Sequence, residues 1–202
     1  MKINKIYTDK NVFEEMKKTI SEELVIALPQ FFENKLDIIK EKLKKTPFIT
    51  KYKPLEHKYQ ELELTQVYDI DLIQFVEFFK SKEFLQFIED MTDFDLRISS
   101  VHIRKYTHTD FVLLSDNQKN DDCFDITFDL SDKFSTKMGG MCVYATNEEE
   151  ILYLSPASNI LTILYKSPSI KKYLKYLNAR AKGLEMYRVE ITAEFIEENL
   201  IE

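Results

Sequence analysis

The chain has 202 residues, 44% of them apolar, with 15 Phe and 11 Tyr but only three Gly and five Pro. That composition builds a hydrophobic core and excludes a mainly disordered chain or a long flexible linker. A net charge of −7 argues against non-specific nucleic-acid binding, which depends on neutralising phosphates.

No apolar run reaches the length of a membrane span. The first residues, MKINKIYTDKNVFEEMKK, carry no apolar stretch of a secretory signal. Cys123 and Cys142 stand far apart, and the expectation is two reduced core thiols in a cytoplasmic protein.

In chain order, Val12, Met16, Ile20, Leu24 and Leu28 recur at helical spacing, and Pro29 ends the run. Leu36, Ile39 and Leu43 mark a second helix, with Pro47 beyond it. Residues 46–69 read as a loop leading into a strand, with Tyr59, Glu61, Glu63 and Thr65 alternating against Leu62 and Leu64. Helical spacing returns in Leu72, Phe75, Val76 and Phe79, and again in Phe84, Phe87, Ile88 and Met91.

After Asp93 the period changes to two. Strands fit Leu96 to Ile103, Phe111 to Leu114, Phe124 to Leu130, Met141 to Tyr144, Ile151 to Leu154, Ile160 to Tyr165 and Met186 to Phe195. Helices followed by many short strands give an α+β chain whose second half is a sandwich or jelly roll. The expected organisation is one domain over 1–202: a mainly helical support over 1–93, a jelly-roll core over 94–196, and an acidic tail over 197–202. Gly139-Gly140 reads as a tight turn into a strand. The lysines from Lys171 to Lys182, interleaved with Tyr173 and Tyr176, read as a solvated barrel edge, with a polyanion patch as the alternative.

Several segments, taken together and in order, carry a resemblance. They are SKEFLQFIEDMTDFDL from Ser81 to Leu96, YTHTDFVLLSDN from Tyr106 to Asn117, the strand from Phe124 to Leu130, Gly139-Gly140 before Met-Cys-Val-Tyr, Pro156-Ala-Ser-Asn159, and the last strand with Tyr187-Arg188. In this order they resemble the prolyl-hydroxylase branch of the 2-oxoglutarate/iron(II) oxygenases, ribosomal-protein prolyl hydroxylases in particular, over residues 80 to 196. The resemblance implies N-terminal helices packed on a double-stranded β-helix, a jelly-roll or cupin-like core. It also implies that Tyr106 to Asn117 is a ligand-facing strand.

The chemistry of that family uses a facial triad of two His and one carboxylate. The positions matching its His-x-Asp pair hold Ser115 and Asn117, and the distal His position aligns best with Lys171. The chain has only His57, His102 and His108, so no alignment supplies a His after residue 108. His108-Thr-Asp110 spells a metal pair, but Asp110 already matches another family position. Arg188 matches the arginine that pairs with the distal carboxylate of 2-oxoglutarate, and Tyr106 a residue that helps hold it. The alternatives for Arg188 are that it pairs with an internal acid or that it snorkels to the barrel mouth.

The resulting expectation is a non-catalytic homologue that binds a protein or peptide partner, its pocket open to a small dicarboxylate such as 2-oxoglutarate at Arg188 and Tyr106. No iron(II) is expected, nor a membrane or nucleic-acid partner; a homodimer is consistent with this reading. The alternative is an active 2-oxoglutarate-dependent hydroxylase with an unusual metal site.

Overall fold

A computed structural model describes residues 1–33, 36–113 and 122–196 of the chain. Its helical part comprises α1 (Lys10–Glu23), α2 (Leu36–Lys45), α3 (Ile70–Phe79) and α4 (Lys82–Thr92). The strands are β1 (Val25–Pro29), β2 (Ile49–Lys53), β3 (His57–Glu61), β4 (Leu96–Tyr106), β5 (Phe111–Val112), β6 (Cys123–Leu130), β7 (Cys142–Ala145), β8 (Glu150–Leu154), β9 (Ser158–Lys166), β10 (Lys171–Leu174) and β11 (Met186–Phe195).

Three helices begin on side-chain caps that satisfy their free N–H groups. Asp9 accepts from the amides of Asn11 and Val12, Asp69 from those of Asp71 and Leu72, and Ser81 from that of Phe84. The helix expected to run to Leu28 stops earlier. Leu24 turns into the left-handed region at φ 59°, and β1 pairs antiparallel with β9, Ile26 opposite Ile163. The spacing of Leu24 and Leu28 suits either period. The β-branched pair Val25-Ile26 and an open sheet edge decide for the strand.

The region expected to be a loop and a strand is instead a hairpin, β2 on β3, turning through Leu55 at φ 63°. The expected ligand-facing strand is also divided. Tyr106 ends β4, a turn follows in which the Asp110 amide donates to the Thr107 carbonyl, and β5 begins at Phe111.

The strand order is β1-β9-β6-β11-β4-β3-β5-β10-β7-β8, with β2 paired to β3. The strands form one curled antiparallel sheet with two halves, β1-β9-β6-β11-β4 and β5-β10-β7-β8, as expected for a double-stranded β-helix. β3 joins them, pairing Gln60 with Lys105 of β4 and His57 with Val112 of β5. β10 lies between β5 and β7, so it is not the sheet edge its lysines suggested.

One face of the larger sheet meets the helices. Phe124, Ile126 and Phe128 of β6, Val189 and Ile191 of β11, and Leu161 and Ile163 of β9 join the helical Phe75, Phe79 and Phe84 in one core. Phe128 sits 5.0 Å from Phe32 and 5.6 Å from Phe79 between ring centroids. The opposite face of the same strands carries Asp125, Thr127, Asp129, Arg188 and Glu190. Thr127, Asp129 and Arg188 are buried. The polar half of the alternation therefore points into the barrel.

Two family-like motifs have structural explanations. The Asn159 side-chain amide donates to the Phe32 carbonyl at 2.9 Å and accepts from the Phe32 amide at 2.9 Å, tying β9 to the helical layer. Gly139 stands at φ +81°, and a Cβ there would lie 2.0 Å from the Tyr176 carbonyl oxygen. Only glycine fits that approach. Cys123 and Cys142 are free and buried, as expected. No helix among the described residues is long and apolar enough to cross a membrane.

Candidate functional site

The barrel interior encloses a cavity of about 440 Å³ whose lining includes His57, His102, Arg104, Asp125, Lys172 and Glu190. Period-two alternation places these side chains. On β4 it turns His102, Arg104 and Tyr106 inward while Val101 and Ile103 face the helices. On β11 it turns Glu190 inward between Val189 and Ile191.

Glu190 is the centre of an ion-pair network. Its Oε2 accepts from Arg104 Nη1 at 2.7 Å, and its Oε1 accepts from Tyr106 Oη at 2.7 Å. Lys172 Nζ lies 3.6 Å from it and donates to Asp125 Oδ1 at 3.0 Å. Arg104 Nε also donates to Glu61 Oε2 at 3.1 Å, and the Arg104 guanidinium stacks 4.4 Å over the Tyr59 ring.

Burial pushes the Glu190 carboxyl up, but Arg104 and Lys172 overcome it and hold the group far below the usual carboxylate range. Burial likewise pulls Lys172 down, and Asp125 and Glu190 outweigh it, so its ammonium is held charged. Burial raises the Tyr106 hydroxyl well above its ordinary value, and Glu190 raises it further. Burial also pushes the Cys123 thiol up to about 11, partly offset by Lys166, and raises Cys142. Neither is an activated nucleophile.

The residues singled out from sequence fall as follows. Arg188 is 1% exposed, inside the barrel. Its Nε and Nη2 donate to Asp129 Oδ2 at 3.2 and 2.7 Å. Tyr106 is also buried, with its hydroxyl on Glu190. Lys171 pairs with Ala145 across β10 and β7, and Lys172 pairs with Tyr144. Neighbours on a strand face opposite ways, and it is Lys172, not Lys171, that lines the cavity. Ser115 and Asn117 lie outside the described residues, as does the acidic tail over 197–202.

His108 and Asp110 do not form a metal pair. The Asp110 carboxylate accepts from the Thr107 amide at 2.8 Å and the Thr107 hydroxyl at 3.1 Å, and Lys58 lies 3.5 Å away. His108 packs against Tyr176, His57 against Tyr59, and His102 Nδ1 lies 3.5 Å from Glu61. Among the described residues no three of His, Cys, Asp and Glu gather as a metal site. Among the described residues the cavity's Asp125 and Glu190 face Lys172 and Arg104, and these do not form an iron centre of two His and one carboxylate.

Sequence reasoning missed the acids, Asp125, Asp129 and Glu190. Their signal was present: each alternates with an apolar residue that faces the helices. A polar residue in such a strand reads equally as facing solvent, and only closure of the barrel turns it inward.

The family model described as "Oxoglutarate and iron-dependent oxygenase degradation C-term" matches residues 2–199. Among solved structures, a 2OG-Fe(II) oxygenase family oxidoreductase from Burkholderia pseudomallei superposes with TM-score 0.66 at 14% identity, covering 92% of each chain. A Pseudomonas putida prolyl-4-hydroxylase gives TM-score 0.60 at 12% identity, over 92% of this chain and 99% of that one. A Trichoplax adhaerens prolyl hydroxylase, in complex with a hypoxia inducible factor oxygen degradation domain peptide fragment, gives 0.64 at 9% identity, over 92% and 90%. At these identities the structures share the fold. No curated protein matches.

Proposed function

Because the chain belongs to the oxoglutarate and iron-dependent oxygenase degradation C-terminal family, we propose that it is a non-catalytic member of the prolyl-hydroxylase branch, a pseudoenzyme that works as a binding or protein-interaction module. The observation that carries this reading is Lys172. Its ammonium projects from β10 into the cavity, 3.0 Å from Asp125. The resemblance puts the distal His in this region, with Lys171, the neighbour of Lys172, as the best match. A fixed ammonium both repels a divalent cation and takes up the carboxylates that would attract one.

The rest of the donor set supports the same reading. Ser115 and Asn117 are neutral where the resemblance asks for imidazole and carboxylate, and no His follows residue 108. The family normally draws on iron(II) for oxygen activation and on 2-oxoglutarate as co-substrate; on our reading the iron positions have changed, while Arg188 and Tyr106 still match the co-substrate positions.

A binding role suits what remains. The cavity of about 440 Å³ lies within the range of about 300–1,000 Å³ typical of ligand sites. Its lining mixes charges of both signs with Tyr59 and His57, which suits the side chains of a peptide segment. The related Trichoplax hydroxylase holds a peptide; on our reading this chain keeps that type of partner and has lost the reaction. The two free thiols suit a reducing, cytoplasmic setting.

Equilibrium dialysis against manganese(II), followed by assay with iron(II), oxygen and 2-oxoglutarate, tests the reading. The expected result is no stoichiometric metal and no succinate. One equivalent of bound metal with release of succinate would establish the alternative, an active hydroxylase with an unusual metal site.

A further inference from the structure

Arg188 matches the arginine that the resemblance assigns to the distal carboxylate of 2-oxoglutarate, yet its fork already holds a carboxylate. Asp129 stands directly opposite Arg188 in the β6–β11 register. Asp129 Oδ2 accepts from Nε and Nη2 of the guanidinium, and Oδ1 accepts from the Ser131 amide at 2.8 Å. Both residues are buried, at 5% and 1% exposure. Of the Arg188 guanidinium nitrogens, Nη1 has no hydrogen-bond partner among the described residues.

The second donor assigned to the co-substrate is filled in the same way. Tyr106 Oη rests on Glu190 Oε1, and the other Glu190 oxygen is held by Arg104. Two carboxylates, from β6 and β11, thus sit on the two groups that would otherwise grip a dicarboxylate.

We propose that Asp129 is a built-in anion that keeps the Arg188 site permanently filled, and that Glu190 does the same at Tyr106. The barrel then needs no soluble dicarboxylate to neutralise its interior cations. This deepens the non-catalytic reading and rests on it. An external acid must displace a carboxylate fixed by strand register and by the Ser131 N–H. Being part of the same chain, Asp129 competes at an effective concentration that free 2-oxoglutarate does not match. A displaced Asp129 would also be left charged and unpaired in a buried place.

The test is calorimetric titration of the full chain with 2-oxoglutarate and with succinate, joined to thermal melts of Asp129→Ala. The intact chain should bind neither acid at millimolar concentration. Asp129→Ala leaves the Arg188 guanidinium exposed to a small cavity, so it should melt lower and recover most of the lost melting temperature in formate or acetate. Chloride at equal ionic strength should not restore it, and the double variant Asp129→Ala/Arg188→Ala should not respond to formate.

Dicarboxylate binding to the intact chain that disappears in Arg188→Ala would overturn the proposal. So would an Asp129→Ala protein indifferent to formate and acetate. If Asp129→Ala does not accumulate in folded form, titration of the intact chain decides: absence of binding upholds the proposal and Arg188-dependent binding overturns it. Metal uptake without dicarboxylate binding would remove the Lys172 argument for the non-catalytic reading and leave Asp129 in its role. Dicarboxylate binding without metal uptake would do the reverse.

Discussion

Lys172 and Glu61 show how single side chains set the character of the barrel interior. Lys172 is 16% exposed, and Asp125 and Glu190 are each 13% exposed. Removing one member of such a group leaves the others charged without compensation. Lys172→Met should therefore lower stability by about 3 kcal/mol, read as a fall in the urea midpoint. A midpoint equal to the parent's would show that the network does not hold the barrel.

Glu61 supplies a pH signature. The His102 imidazole, and then Arg104, hold its carboxyl at about 2 against an ordinary 4.5, with burial opposing them. A depressed carboxylate contributes stability that is full above its unfolded value and is lost as pH falls toward the folded one. Stability should decline between about pH 4.5 and 2, and Glu61→Gln should flatten that decline. An acid limb unchanged in Glu61→Gln would contradict the assignment.

Among the elements, the long periodic ones were legible and the short ones were not. α3 and α4 carry apolar residues at helical spacing behind Asp and Ser caps, and both form where expected. β6 and β11 alternate over eight and ten residues, which leaves little ambiguity. β1 was hidden because five residues of strand after a helix continue its apolar spacing. β2 was hidden because its burial alternates hardly at all; the hairpin partner, not a core, holds it. The Gly139 turn makes a test at this scale. Gly139→Ala forces a Cβ against the Tyr176 carbonyl and should cost more than about 1 kcal/mol. Gly183, also at φ +81° but with nothing within 4 Å of an added Cβ, should tolerate alanine better. Equal melting temperatures for the two variants would refute this account of the turn.

Over the whole molecule, two interiors share one sheet. The helix-facing side is aromatic and aliphatic and supplies the cohesion. The barrel side is a balanced set of acids and bases in which Arg104, Lys172 and Arg188 meet Glu190, Asp125 and Asp129. The α+β architecture could be read from the change of period near Asp93, and the family from six short segments in order. That no His follows residue 108 was plain from the count alone. What sequence did not disclose was the set of inward acids, because Asp125, Asp129 and Glu190 look like solvent-facing residues until the sheet curls around them. Lys172 escaped notice for a related reason: one residue of register decides which lysine of β10 faces inward.

The central proposal is that the chain's own charges occupy the place of metal and co-substrate. A crystal structure obtained in the presence of manganese(II) and 2-oxoglutarate tests it most directly. The account predicts Lys172 Nζ on Asp125, Asp129 on Arg188, and no density for either additive in the barrel. A metal ion coordinated there, with 2-oxoglutarate on Arg188 and Asp129 turned away, would contradict it.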